Sequence, residues 1–364
     1  MKITIENIKK VLTQVKFPGY NRDIISFGLV KDLKIIKDTL YISLSVKTDD
    51  KNNKKLIEGE IESVIKENFN LKEVKINFLI DTLNEKQLNK LNIKNILAIS
   101  SCKGGVGKST IALNIALEIS KNYKVGLLDL DIYGPSLSTL INFSEQPKFD
   151  GNKIYPIDKF GIKLMSFGFI NNENSPTIWR GPMVSRMTQQ FFDNVEWGNL
   201  DNLILDLPPG TGDIQLTLVQ KIALDGAVIV TTPQQLANID VKKGSDMFNK
   251  VKTPIIGVIE NMSGFYINGN LSDYNNNQEL NINNQNIRPD LNGNFNFKIN
   301  IFKGVSGKTE SERLDLPLLG QIGLDPKLSE CCDNGTPYVL KYKDTLVKKE
   351  FEKISNFITS QNKR

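Results

Sequence analysis

The chain is predicted to be an α/β protein built on a doubly wound, mainly parallel sheet, with a small α+β domain ahead of it. Three observations predict this. Over Asn95 to Asn122 (NILAISSCKGGVGKSTIALNIALEISKN) an apolar, strand-like run feeds a glycine-dense turn and then an apolar helix. Downstream, strand-like and helix-like stretches alternate. Upstream, a hairpin pattern and a helical pattern end at a polar stretch, and 364 residues are enough for two domains.

Residues 1–79 carry the small domain. A charged helix from Ile5 to Val15 precedes the turn Phe17-Pro18-Gly19-Tyr20. The alternation in VKDLKIIKDTLYISLSVKT predicts a hairpin, a helix follows from about Lys54 to Asn68, and VKINFLI supplies a last strand. Residues 80–94 are polar and read as a linker.

Residues 95–342 carry the larger domain. Its candidate strands are NILAIS, KVGLLDLD, IKLMSFG, NLILDLP, GAVIVTT, PIIGVIE and LLGQIG, whose β-branched and Leu content suits strands covered on both faces. Acidic residues fall at the carboxyl ends of these strands, where ligands of such sheets bind. Residues 266–300 break the pattern. More than a third of that stretch is Asn, so it is predicted to be a long mobile insertion without a core. Next, KGVSGKTES (Lys303 to Ser311) imitates a phosphate-binding turn but has Phe302 where the first glycine belongs, and reads as a surface loop. Residues 343–364 form a terminal helix with Val347, Phe351, Ile354 and Ile358 on one side. Docking on the domain's own core is favoured over a membrane surface, because Glu350 and Glu352 weaken attraction to anionic lipid.

The strand, loop and helix around KGGVGKST are the context of a phosphate loop, which narrows the fold class to a P-loop NTPase. Gly104, Gly105 and Gly107 let the backbone come close and aim N–H groups inward, and the helix start adds unpaired donors. Cys102, Lys103, Val106 and Thr110 complete the cradle; Lys108 reaches the β- and γ-phosphates and Ser109 holds Mg²⁺. The pattern GxxxxGK(S/T) wants glycine where Cys102 stands, and cysteine serves there only if the turn needs no positive φ.

Two acidic clusters follow. In LLDLDIYGPS, Asp129 and Asp131 leave the second strand, and alternation places both carboxylates on one side, facing metal or water. In LILDLPPGTGD, Asp206 ends an apolar strand as a Walker B acid, and the turn through Pro208, Pro209, Gly210 and Gly212 presents the Gly210 N–H to a γ-phosphate. Asp129 as a helix cap and Asp213 as an N-cap are the structural alternatives.

Composition excludes several classes. The net charge of +5 comes without a basic tail, so nucleic acid is not an expected partner. No histidine is present, which removes Ser-His-Asp, Cys-His and His-ligated zinc chemistry. The three cysteines, Cys102, Cys331 and Cys332, form no CxxC pair and no disulfide framework. No apolar run approaches a membrane span, and charges are scattered through MKITIENIKKVLTQVK where a signal peptide would be apolar; a cytoplasmic protein without stable membrane association is expected.

Lys103, just after Cys102, gives the loop a second lysine. In this the sequence resembles the deviant Walker A ATPases of the MinD, ParA and nitrogenase iron-protein types. The resemblance implies that Lys103 crosses a dimer interface to the partner's nucleotide and does there what an arginine finger does elsewhere. DLDIYGPS, IWRGPMVSRMTQQFFDNVEWGNLDNLILDLPPGTGD, TTPQQLA and IENMSGF are similar, more narrowly, to the Mrp family of iron-sulfur cluster carrier ATPases, over nearly the whole chain. The stretch PGYNRDIISFGLV is similar to the small domain often fused ahead of that ATPase in bacteria.

The Mrp resemblance implies a homodimer with ATP and Mg²⁺ at the shared face. Asn261 would contact adenine, Pro233 and Gln234 would lie near the nucleotide, Asp131 would orient the attacking water, and Asp206 would bind Mg²⁺ through water. A 4Fe–4S cluster bridged between subunits, an iron-sulfur scaffold and recipient apoproteins complete the expectation. Two departures stand out. Where many relatives carry CxxC after ENMSGF this chain has Tyr266-Ile267-Asn268-Gly269, and the small domain has KTDDKNNK where some carry a cysteine. Cys331 and Cys332, pooled as four thiols in a dimer, are the remaining cluster ligands, with ordinary packing after LDPKLSE as the alternative. A positioning ATPase and a nucleotide-gated scaffold that holds no cluster are the competing functions.

Overall fold

The computed structural model describes residues 3–16, 23–25, 29–36, 38–45, 51–79, 92–170, 181–234, 237–275, 279–282, 284–302, 304 and 306–362. The chain divides into two compact units, Met1–Asn84 and Glu85–Arg364. The Phe17 to Tyr20 turn, most of the polar linker and the Trp179-Arg180 pair lie outside the described residues.

In the first unit, α1 (Ile5–Leu12) starts at Thr4, whose hydroxyl accepts the Asn7 N–H, and buries Ile8, Val11 and Leu12. It is followed by β1 (Val30–Ile36), β2 (Thr39–Ser45), α2 (Lys51–Asn68) and β3 (Glu73–Leu79). β1 and β2 form the expected hairpin, and β3 lies parallel to β2 on its other edge. The core follows from two periods. Leu40, Ile42 and Leu44 alternate inward from β2, while Ile57, Ile61 and Ile65 recur every four residues along α2.

The second unit begins with β4 (Ile93–Ser100), two residues inside the stretch read as linker, then α3 (Lys108–Ile119) and β5 (Val125–Asp129). Next come a single turn α4 (Leu137–Leu140), the hairpin β6 (Lys148–Asp150) and β7 (Lys153–Tyr155), β8 (Ile157–Lys159), β9 (Ile162–Ser166) and α5 (Phe167–Ile170). The chain continues through α6 (Gly181–Asp193), β10 (Leu200–Asp206), α7 (Asp213–Lys221), β11 (Gly226–Thr231) and α8 (Ala237–Lys250). It then forms β12 (Ile255–Asn270), β13 (Leu280–Ile282), β14 (Gln285–Ile287) and β15 (Asn294–Ile299). It closes with α9 (Ser306–Leu314), β16 (Leu318–Leu324), α10 (Pro326–Asp333), α11 (Tyr338–Lys341) and α12 (Leu346–Ser360).

Strands β16, β12, β11, β4, β10, β5 and β9 lie parallel in that spatial order, so every strand expected of the sheet is present. β8 and β15 add antiparallel pairs, on β9 and on the far end of β12. Central β4 has β10 on one side and β11 on the other; the chain passes from β4 over β10 to β5, and this reversal opens a crevice at the carboxyl ends of the strands. β4 is buried from Asn95 to Ser100 and β11 throughout, as covered parallel strands require.

The apolar helix α3 is enclosed on both sides. Every residue from Ile111 to Ile119 is buried, because α11 and α12 pack over the side that faces away from β5 and β10. The terminal helix docks as expected, through Val347, Phe351, Ile354 and Ile358. A buried ion pair ties it down: the Lys348 ammonium meets Glu118 of α3 and lies 2.8 Å from Glu352, while Lys121 reaches Glu118 at 2.9 Å and Glu352 at 3.2 Å. Lys348→Ala leaves Glu118 buried without its nearest cation and is expected to destabilise the larger unit by about 3–5 kcal/mol. Both tryptophans belong to that unit, so denaturant unfolding followed by their fluorescence reads this change directly; a loss below about 1 kcal/mol, the range of a surface pair, would contradict it.

Two expectations are corrected. The Asn-rich stretch is largely a β arm: Phe265 to Asn270 of β12 pair with Asn294 to Ile299 of β15, and β13 pairs with β14. Its amides stitch the backbone. Asn270 Nδ2 donates to the Asn292 carbonyl (2.9 Å) and to Asn294 Oδ1 (2.7 Å), and Asn281 Nδ2 donates to Asn286 Oδ1 (2.8 Å). Of the stretch read as a surface loop, Ser306 to Ser311 is instead helical, since α9 starts at Ser306 and the Gly307 N–H donates to buried Glu260 at 3.0 Å. No helix among the described residues is long and apolar enough to cross a membrane.

Candidate nucleotide site

At the carboxyl end of β4, residues 101–107 wrap a cavity of about 290 Å³. Its lining comprises Ser101, Lys103 to Thr110, Asp131, Gly134, Ser136, Leu140 and Pro209. A larger open groove, about 660 Å³, lies at the amino ends of β4, β5 and β10 between Lys94, Lys124 and Asp201, and no glycine is among its lining residues.

The loop takes positive φ at Gly105 (78°) and Gly107 (81°) but not at Cys102, so the departure from the glycine pattern is without backbone strain. The Cys102 sulfur packs against α8 where Gly244 leaves room; a Cβ there would collide with it. Gly107 is doubly constrained. Besides its φ, an added Cβ would strike Asn261 Nδ2, which donates to the Val106 carbonyl at 2.8 Å. Asn261 therefore braces the loop through an amide hydrogen, with its second hydrogen and its oxygen outside that bond.

Lys108, at 6% exposure, starts α3 and pairs with Asp206 at the end of β10. Its ammonium is also 3.4 Å from Ser109 Oγ. Burial pushes the Asp206 carboxyl above its ordinary value, against the opposing pull of Lys108 and Ser109. Lys108 and Ser109 border the cavity and Asp206 is buried against Lys108, and this donor set fits a magnesium nucleotide: an amine and inward N–H groups for phosphate, a hydroxyl and a carboxylate for a hard cation.

The two aspartates at the carboxyl end of β5 part company. Strand alternation ends at Asp129, so it does not govern Asp131. Asp129, 1% exposed, faces inward: it accepts the Asp131 N–H (3.0 Å), the Leu137 N–H (3.4 Å) and the Ser166 hydroxyl (2.9 Å). Its carboxyl is pushed up to about 7 by burial and by the neighbouring Asp206 carboxylate. Asp131 borders the cavity, and its Oδ1 accepts the Tyr133 and Gly134 N–H groups, both at 3.2 Å. The expectation that both face metal or water is corrected: Asp131 faces the cavity, while Asp129 organises the turn beside it, close to the cap alternative.

Gly210 is also corrected. Its N–H donates to the Ser101 carbonyl at 2.8 Å, so that donor is spent on joining the turn to the phosphate loop. Asp213 is the first residue of α7, after the cap Gly212, and supports the helix start by charge. Lys103 Nζ donates to Gln234 Oε1 at 3.0 Å, which places the second lysine and Gln234 together at the mouth of the site.

The cysteines do not gather. Cys331 and Cys332 are neighbours in α10, Cys331 is 2% exposed, and Cys332 Sγ sits 3.4 Å from Thr110 Oγ1 on α3. Burial raises both thiols above their ordinary range, away from thiolate. A cluster bridged between subunits needs sulfur at the surface, so the reading of Cys331 as a ligand is corrected to packing. Among the described residues no group of three or more His, Cys, Asp or Glu could hold a metal ion. Reading the sequence also gave no role to Ser166 or Ser136, and the one signal was a hydroxyl at a strand's carboxyl end (IKLMS) and in the turn after Asp131.

A central phosphate loop, a buried lysine on a Walker B aspartate and a second lysine at the cavity mouth define a P-loop NTPase of the two-lysine kind. The family described as ParA: NUBPL iron-transfer P-loop NTPase matches residues 92–285 and 285–359. The chain belongs to that family. An iron-sulfur cluster carrier protein of Synechocystis sp. is 34% identical over 99% of this chain and 98% of its own length, so the small leading unit is included. The structure of a nucleotide-binding protein from Archaeoglobus fulgidus in complex with ADP is 29% identical, covers 70% of this chain and 92% of its own, and superposes with a TM-score of 0.55. Pyrococcus furiosus cell division ATPase MinD, 19% identical over 73% of this chain and 99% of its own, has the same fold at a TM-score of 0.51.

Proposed function

We propose that the protein is a magnesium-dependent ATPase that works as a nucleotide-gated homodimer and carries an iron-sulfur cluster, its cargo, from a scaffold to recipient apoproteins. The phosphate-loop cavity bordered by Lys108 and Ser109, with Asp206 paired to Lys108, carries the ATPase part. The end-to-end match to a carrier protein supports the cargo.

The chemistry assigned to each residue follows from its position. Loop N–H groups and the start of α3 bind phosphate, and arriving phosphate draws Lys108 off Asp206. Asp206 and Ser109 are thereby released to face Mg²⁺, which when bound supplies charge neutralisation at the phosphates. Asp131 borders the same space and accepts a hydrogen bond from water. With no histidine in the chain, hydrolysis rests on positioning and electrostatics. Lys103 is parked on Gln234 in one protomer and is within the class of residue that reaches a partner's nucleotide.

The missing CxxC and the enclosed Cys331 favour a second reading, a nucleotide-gated scaffold that holds no cluster. Anaerobic reconstitution with iron and sulfide separates them. Carriage predicts visible absorbance with bound iron and sulfide in the wild-type protein, persisting in Cys331→Ser. A colourless protein that still hydrolyses ATP would overturn carriage in favour of the scaffold.

A further inference from the structure

We propose that the Ser136 hydroxyl is a catalytic group of this site, donating a hydrogen bond to the terminal phosphoryl group of bound ATP; the inference rests on the ATPase reading above. Ser136 occupies the N-cap of α4, where a serine hydroxyl ordinarily bonds an N–H of the first helical turn. Here it makes no capping bond. The Leu137 N–H, which a capping serine does not serve, goes to Asp129 at 3.4 Å. The Ser136 oxygen is buried without any hydrogen-bond partner.

That oxygen belongs to a residue bordering the phosphate cavity together with Lys108, Ser109 and Asp131. Buried polar atoms in folded proteins are nearly always paired, and an orphan beside a ligand cavity finds its partner when the ligand arrives. Phosphoryl oxygens only accept, so the hydroxyl must donate. The loop N–H groups and the start of α3 are the natural clasp for the α- and β-phosphates. Ser136 approaches with Asp131 from the β5 side, which leaves it the terminal group. The turn that carries it is held before ATP binds, since Asp131 accepts the Tyr133 and Gly134 N–H groups and Asp129 is anchored by Ser166, and a rotation about χ1 turns the enclosed hydroxyl toward the cavity. A neutral donor adds no charge to a site already holding two lysines, and it helps position the transferring phosphoryl group, whose charge is spread over three equatorial oxygens in the transition state.

The test compares Ser136→Ala and Ser136→Thr with wild type, measuring ATP affinity, ADP affinity and turnover at saturating ATP. Ser136→Ala is expected to lower turnover about 10- to 100-fold, in the lower range of removing one transition-state donor. It is also expected to weaken ATP several-fold while leaving ADP unchanged, about the effect of one hydrogen bond. Ser136→Thr, which keeps the hydroxyl, should restore the ratio of ATP to ADP affinity. Unchanged turnover with an unchanged ratio would overturn the proposal. So would equal losses of ATP and ADP, the mark of a turn that has merely loosened. A wild-type protein that binds ATP but never hydrolyses it would defeat the ATPase reading instead, and the affinity ratio would still decide whether Ser136 touches the terminal phosphate.

Discussion

Lys108→Ala is expected to abolish tight ATP binding and to cut hydrolysis by about 10²- to 10³-fold or more, the cost of losing a donor aimed at developing charge. The same substitution has a second effect that an exposed phosphate-binding lysine would not show. Lys108 and Asp206 are buried together at the carboxyl end of β10. Removing the ammonium leaves a carboxylate already raised by burial with no cation beside it. Loss of one partner of a buried pair costs about 3–5 kcal/mol. The single variant should therefore unfold at clearly lower denaturant as well as fail to bind nucleotide. Adding Asp206→Asn removes the stranded charge, so the double variant should recover most of the stability and none of the hydrolysis. Unfolding curves and phosphate release on the wild type and three variants give the complete cycle. A Lys108→Ala protein as stable as wild type would mean that the pair contributes nothing to stability; one that hydrolyses ATP normally would remove Lys108 from the site.

Much of this was legible because the physical signals were local. Parallel strands covered on both faces read as unbroken apolar runs, so β4, β5, β10 and β11 stand out from the residues alone. The phosphate loop is equally local, since glycine spacing, lysine and serine all fall within eight residues, Lys103 to Thr110. What stayed hidden depends on partners distant in sequence. Nothing near Asp129 announces that it will bond Ser166, and the Gly210 N–H looks free until the turn folds onto Ser101. Asn261 reads as a ligand contact from resemblance, whereas 155 positions of sequence separate it from the carbonyl it supports. The Asn-rich arm misled for a different reason. Amide side chains lower hydrophobicity and so imitate disorder, yet in paired strands the same groups bond each other and the backbone. Cysteine count was informative, but only burial separates a ligand from a packed side chain.

Lys103→Ala is expected to leave ATP binding within a few-fold of wild type and to reduce turnover about 10³-fold, the lower range of removing an arginine finger. Its ammonium rests on Gln234 at 3.0 Å at the mouth of the cavity, clear of the Lys108 and Asp206 pair. Binding therefore survives its loss, while hydrolysis does not if the lysine serves the neighbouring protomer. Mixing provides the decisive arrangement. In a dimer of one Lys103→Ala chain and one Lys108→Ala chain, the first keeps an intact cradle and receives Lys103 from the second; the second has no working cradle. Equal mixing makes half the dimers mixed, each with one of two sites complete, so activity should return to about a quarter of wild type from two nearly inactive proteins. Were Lys103 to act on its own chain's nucleotide, neither site of the mixed dimer would be complete and mixing would restore nothing. Turnover after equilibrating the two variants with ATP, with dimer formation followed by light scattering, distinguishes the cases. Restored turnover without dimers, or dimers without restored turnover, would rule out the shared site.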